Sequence, residues 1–427
     1  MLGFSIIQMV RRNGKKLDQT LRKELIQFYQ PFRSVPCFLH RPLESIRKRT
    51  KNYPVIIEFE QTSFEAGIQE VQSAKCKNLK TFPLVTCCSA KLSLANLEKL
   101  LESCSSIKKV YYDREVTALL DTATSSVQST LLHQSGYTGV GKTIAIVDTG
   151  IHPHEDLSGR ITGFVDFVNG QIDPYDDNGH GTHCAGDAAG NGLSSNDRNY
   201  IGPAPEADLV GVKVLDKMGS GTLSTVIEGI QWCVQNRHQY NIDILSLSLG
   251  AEAIESAKED PVVQAVDRAW ESGIVVCVAA GNSGPKYETI ASPGISPLVI
   301  TVGAADDNES TNRTDDIVAE FSSRGPAIDG NIKPDLITPG VNITSLRAPG
   351  SFLDKTNKAA RVSTNYISLS GTSMATPICA GIVAQLLQKE PHLNPNQVKQ
   401  RLLQACTDIG QPPNVQGSGY LNAANLL

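Results

Sequence analysis

The stretch KTIAIVDTG, residues 142–150, is apolar without a break from Ile144 to Val147 and then turns polar at Asp148, Thr149 and Gly150. A strand with one wet face alternates apolar and polar residues. An unbroken apolar strand is buried on both faces, as in a parallel sheet. The same character returns in DLVGVKVL (208–215), IDILSLSLG (242–250), GIVVCVAAGN (273–282) and PLVITVGA (297–304). Between these runs, LSTVIEGIQWCVQN (223–236) and DPVVQAVDRAWESG (260–273) have the helical period. Residues 136–427 are therefore predicted to be α/β, with a doubly wound, mostly parallel sheet. In such sheets ligands bind beyond the carboxyl ends of the strands, so the polar residues just past them are the ones to question.

Upstream the pattern differs. VIIEFE (55–60), FPLVTCCSAKL (82–92) and IKKVYYDREV (107–116) read as strands, and FEAGIQEVQSAKC (64–76) and SLANLEKLLESC (93–104) as helices. This β-α-β-α-β order predicts a small α+β domain over 54–120. Residues 1–53 read as a basic extension with a helix from Leu17 to Tyr29, and the small polar residues of 121–135 as a linker. Neither internal repeats nor low-complexity tracts are present.

Four residue types stand where the α/β pattern puts them to use. Asp148 ends the first strand. His180 lies in DDNGHGTHCAG (176–186), in a segment that opens a helix. Asn282 ends the strand 273–282. Ser373 sits in SLSGTSMATPICAG (368–381), where a small-residue helix containing a proline begins. Each has a bland explanation, since Asp and Ser cap helices and a lone His is more often structural. Acyl transfer, however, needs this set together: a hydroxyl nucleophile, an imidazole base, a carboxylate to orient it and a donor for the oxyanion. The amides at a helix start favour developing negative charge beside Ser373.

Four motifs carry a resemblance: VDTGI with Asp148, NGHGTHCAG with His180, AAGNSG with Asn282 and SGTSMATP with Ser373. In this order they resemble the subtilisin-like serine proteases (subtilases) over about residues 130–427. The resemblance implies a subtilisin-like fold and an Asp148–His180–Ser373 triad, with Asn282 as oxyanion donor. It implies one groove wall at MGSGT, with Gly219, Ser220 and Gly221, and another at Ser248, Leu249 and Gly250, with Ala280 and Gly281 at the pocket for the residue before the cut (P1). Extended peptides held by main-chain bonds imply broad endopeptidase specificity. With no acid in those walls, a large apolar P1 residue is expected. Residues 54–120 resemble the family's inhibitory propeptide, a ferredoxin-like unit, and self-cleavage is expected between Leu120 and Asp121. Structural calcium is the one cofactor in question. Asp156 in HPHEDL matches a family ligand, but the loop AAGNGLSSNDRNYIGPAPEA (188–207) is longer than usual. A further insertion, about 347–366, has no assigned role. Cys184 resembles a family cysteine that confers sensitivity to mercurials.

His180 and His183 are spaced as HxxH, but a zinc protease signature needs HExxH, and Gly181 and Thr182 stand between these histidines. No catalytic metal is expected. A lipase would place its nucleophile in GxSxG, which GTSMA is not. A peptide-binding pseudoprotease is the remaining alternative, and the presence of all four chemical residues argues against it.

The 427 residues are 40% apolar and 19% charged, the balance of a globular chain. Residues 1–52 hold twelve Lys/Arg and three Asp/Glu, a net +9, so the remainder of a chain at −5 carries −14. The contrast suggests contact between head and body or with an anionic partner, against a merely solvated arm. Ten cysteines without CxxC pairs read as buried thiols rather than a disulfide framework or zinc site. MLGFSIIQMVRR puts its apolar stretch before its charges, the reverse of a secretory leader, and no run of eighteen apolar residues exists. The expected compartment is the cytoplasm, with release to the medium also open. The expected partners are protein and peptide substrates and the chain's own propeptide, with no nucleic acid and no membrane span.

Overall fold

The computed structural model describes residues 5–27, 44–45, 47–113, 115–118, 126–195, 199–308 and 316–427. It forms two compact units, Met1–Arg114 and Glu115–Leu427.

The first unit is built on β1 (Asn52–Phe59), β2 (Lys77–Phe82), β3 (Cys87–Ser93) and β4 (Ile107–Tyr112), an antiparallel sheet in the order β2-β3-β1-β4. The helix Leu94–Ser103 starts at a Ser93 cap and buries Leu94, Leu97, Leu100 and Leu101, as its period predicts. A second helix spans Phe64–Ser73. Strand β2 was not expected. Its sequence, KNLKTF, buries only Phe82, so it has the polar face of an edge strand and no apolar signal. The basic head is also not a separate extension. Met9, Val10, Leu17, Leu21 and Leu25 are buried in one core with Val55, Ile57 and Leu97. The helices Ser5–Arg12 and Gln19–Gln27 thus complete the small unit. Asp18 fastens them: its Oδ1 accepts from Leu21 N at 2.9 Å and from Tyr112 N at 3.0 Å.

The second unit contains β5 (Glu115–Ala118), β6 (Thr143–Asp148), β7 (Ile161–Asp166), β8 (Asp208–Lys213), β9 (Ser220–Thr222), β10 (Ile242–Leu247), β11 (Leu249–Gly250), β12 (Val275–Ala279), β13 (Ile300–Asp306), β14 (Ile317–Val318), β15 (Leu336–Pro339), β16 (Ile343–Leu346), β17 (Tyr366–Leu369), β18 (Cys406–Thr407) and β19 (Tyr420–Leu421). Ten of these make one sheet in the order β18-β19-β15-β13-β12-β10-β6-β8-β7, with β14 beside β13. All neighbours from β7 to β19 along this path run parallel. The α/β, mostly parallel sheet is thus observed. The chain extends the sheet to one side of β6 with β8 and β7, and to the other with β10, β12, β13 and β15. Asp148 ends β6, so it stands at the switch point where such folds place their sites. The helix Thr372–Lys389 crosses β10, β12, β13 and β15 and packs on the helix His180–Ala189. It is buried from Thr372 to Leu387 and, apart from Gln385, is apolar or small on every side. Among the described residues no helix is long and apolar enough to cross a membrane.

Candidate active site

The helix His180–Ala189 lies hard against the end of β6. A Cβ on Gly181 would stand 2.2 Å from Gly150 O and 3.1 Å from the Asp148 side chain, so only glycine permits this approach. The consequence is a pair. His180 Nδ1 donates to Asp148 Oδ1 at 2.7 Å, and both residues are fully buried. Thr149 N donates to the same oxygen at 2.7 Å, and Asn178 Oδ1 accepts from His180 N at 3.1 Å. With its proton on Nδ1, the neutral imidazole carries its basic lone pair on Nε2. Burial opposes a charge on His180, but the Asp148 carboxylate outweighs it and holds the imidazole pKa well above its ordinary value.

Ser373 is the second residue of the helix Thr372–Lys389. Its carbonyl should accept from the residue four positions on, which is Pro377 and has no N–H. Ser248 Oγ donates to that carbonyl instead, at 2.7 Å, and the Cys184 thiol does so at 3.5 Å. In return Ser373 Oγ donates to Ser248 O at 3.3 Å. The proline therefore ties the Ser373 turn to the segment joining β10 and β11.

Asn282 follows β12 after Gly281, whose φ of +109° favours glycine. Asn282 Oδ1 accepts from Thr372 N at 3.0 Å and from Thr372 Oγ1 at 3.1 Å. This orients the amide and leaves Nδ2 buried without a partner. An unmade buried donor is costly and calls for an explanation, and a charge that appears only during a reaction supplies one. Sequence reading missed Thr372 and Asn178 as positioning residues, although both lie inside the quoted motifs.

The remaining residues fall into place as follows. Ser220 and Gly221 are in β9, with Gly219 in the turn before it, and Leu249 and Gly250 form β11. Between β9 and β11 runs β5, antiparallel to both: Val116 pairs with Gly221, Thr117 with Ser220 and Gly250, and Ala118 with Leu249. Ala280 N donates to Val302 O at 2.9 Å, which ties that wall to β13. Leu120 and Asp121 lie outside the described residues. Both ring nitrogens of His183 are engaged, by Asp187 Oδ2 at 2.9 Å and Ile343 O at 3.1 Å, so the HxxH spacing does not make a ligand pair. Asp148, His180 and Cys184 each bring a possible ligand atom within 4.8 Å of the others, but the first two are bonded to each other. Burial pushes the Cys184 thiol up to about 11, so it is protonated near neutrality. The Asp156 carboxylate takes Gly192 N at 3.1 Å, Ser194 N at 2.8 Å and the Tyr366 hydroxyl at 2.6 Å, all of them hydrogen-bond donors.

The subtilase family model (peptidase S8) matches residues 139–420, and the chain belongs to that family: it is a serine protease, a hydrolase. Over all of its length it is 53% identical to the serine protease AprX of Bacillus subtilis (strain 168), covering 99% of that protein. It is also 32% identical to the thermostable alkaline protease of Halalkalibacterium halodurans, over 90% of this chain and 94% of the relative. Among solved structures, fervidolysin from Fervidobacterium pennivorans superposes with a TM-score of 0.69 at 22% identity, a likeness of fold. That match covers 88% of this chain and 61% of the fervidolysin chain.

Proposed function

We propose that this protease is an endopeptidase of broad specificity that works through Asp148, His180 and Ser373 and is made as a self-processing precursor. Ser373 Oγ attacks the scissile carbonyl carbon as His180 Nε2 takes its proton. Asp148 keeps the imidazole in the Nδ1–H tautomer and balances the imidazolium. Asn282 Nδ2 and the Ser373 amide donate to the oxyanion, whose collapse expels the amine with the proton from His180. Water then enters by the same base and releases the acyl group. The observation that carries this reading is the buried, unpartnered Asn282 Nδ2, fixed by Thr372 next to Ser373.

The substrate groove is assigned to β9 and β11. Two strand edges that pair with a chain laid between them recognise extended backbone irrespective of sequence, which suits broad specificity. Gly219, Ser220, Gly221, Ser248, Leu249, Gly250, Ala280 and Gly281 bring no charge to it, which favours an apolar P1 residue. The first unit acts as an inhibitory propeptide, with β5 as the tail that fills the groove in the manner of a substrate. The test is casein digestion by the wild-type chain, by Ser373→Ala, and by wild type treated with a fluorophosphonate. Loss of hydrolysis in the last two, with folding unchanged by circular dichroism, is expected. A folded wild-type chain that binds peptides without cutting them would establish the pseudoprotease alternative.

A further inference from the structure

Family resemblance leads to a calcium ion at Asp156, and the residues around it do not fit one. Calcium takes six to eight oxygens at about 2.3–2.6 Å. Asp156 is fully buried, and its carboxylate is met by N–H and O–H groups from three sides. Ser194 N points at Oδ1, while Gly192 N and the Tyr366 hydroxyl point at Oδ2. A cation would need the lone pairs to which these hydrogens are directed. Among the described residues nearby, the Glu155 carboxylate accepts from Ser194 Oγ at 3.0 Å rather than turning to Asp156, and the other side chains are basic. Arg160 donates to the Asp156 carbonyl through Nη2 and to Ala207 O at 2.9 Å. His154 Nδ1 accepts from Asp156 N at 3.1 Å, so its proton is on Nε2, which donates to Asn365 O at 3.1 Å.

Two of these partners, Asn365 and Tyr366, come from the end of the insertion that had no role in the sequence reading. The Tyr366 ring stacks at 4.7 Å on Tyr200, from the long loop that follows the His180 helix. The insertion is fastened at its other end as well. Phe352 N and Leu353 N donate to Asp177 O and Asn178 O, both at 2.9 Å, immediately before His180. Between the two ends, Asp354 holds Arg347 and Arg361, with Arg361 Nε at 2.6 Å.

We propose that the Asn365–Tyr366 end of this insertion takes the place of a calcium ion, tying the 191–195 loop to Asp156 by hydrogen bonds alone. The inference is independent of the catalytic assignment. It is tested on the full-length Ser373→Ala chain, which spares the measurement self-digestion. Thermal unfolding is followed by circular dichroism in EGTA and in millimolar calcium chloride. The midpoint should be the same in both. Tyr366→Phe, which removes only the hydroxyl, should lower it by about 3–6 °C in both. A rise in midpoint with calcium that disappears in Asp156→Asn would overturn the proposal, as would an unchanged midpoint in Tyr366→Phe. A calcium-induced rise that survives Asp156→Asn puts the ion elsewhere and upholds the tie at Asp156.

Discussion

At the residue scale, Asn282 and His180 are the side chains whose surroundings predict kinetic behaviour. Because the Asn282 amide is oriented by Thr372 and its Nδ2 donates to nothing among the described residues, its proposed contribution should appear only when the oxyanion forms. Asn282→Leu is expected to lower kcat by about 10²–10³ with KM nearly unchanged. Steady-state kinetics on a chromogenic peptide measures both, and a change confined to KM would make Asn282 a ground-state binding group. His180 must be neutral to accept the serine proton. Its pKa is held above the ordinary imidazole value by Asp148, against the effect of burial. Activity should therefore rise with pH through a value above about 6.5 rather than at it. Asp148→Asn should shift that limb to lower pH and cut kcat by about 10⁴. A limb that stays at the same pH in this variant would separate the titration from the Asp148–His180 pair. These residues were legible in the sequence because each sits in a motif with fixed neighbours. Thr372 was quoted but not understood, since nothing in GTSMA says that its hydroxyl and amide will orient a side chain ninety positions away. Asp156 is ambiguous for a related reason: a carboxylate's sequence neighbours do not reveal whether hydrogens or a cation will meet it.

At the element scale, the helix that carries Ser373, the proposed nucleophile, is anchored by a bond it cannot make internally. Pro377 withholds an N–H from Ser373 O, and the Ser248 hydroxyl supplies the replacement at 2.7 Å. Ser248→Ala should leave this buried carbonyl with only the weak Cys184 thiol, a loss of about 1–2 kcal/mol. The unfolding midpoint should fall by about 2–4 °C. The decrease in kcat should be smaller than for Asn282→Leu, because the oxyanion donors remain. Full activity together with an unchanged midpoint would mean that the proline alone sets the turn. The elements that could be read from sequence were those with an unbroken apolar run, such as β6 and β10, or a strong period, such as the helix Leu94–Ser103. Those that could not were polar, short or interrupted. β7 (ITGFVD) is mostly half-buried, β15 (LITP) is four residues ending in proline, and β16 and β17 form a hairpin closed across the insertion. Such strands exist because neighbours pair with them, which is tertiary information.

At the scale of the whole molecule, the chain that reads as one strand over 107–116 divides between the two units. β4 ends at Tyr112 in the small unit's sheet, and β5 pairs within the protease unit. The polarity of Asp113 and Arg114 hinted at a break, but only pairing partners could assign the two halves. This division supports the proposal that the precursor cuts itself between Leu120 and Asp121. β5 runs antiparallel to β11, so the chain advances from Leu249 toward Ser248, the residue bonded to Ser373. Ala118 lies opposite Leu249, and Leu120 follows it two positions later in the sequence. A leucine at P1 suits uncharged walls, and the polar residues from Asp121 onward can leave once the bond is broken. N-terminal sequencing of the mature wild-type protein should read Asp-Thr-Ala-Thr, while Ser373→Ala should remain full length. Leu120→Asp, which puts a charge where the groove offers no partner, should slow processing at least tenfold on a denaturing gel without impairing folding. A mature terminus beyond about residue 136, or an active enzyme whose first unit is never cut, would refute this boundary. In the second case β5 would be a permanent plug in the groove rather than a substrate in waiting.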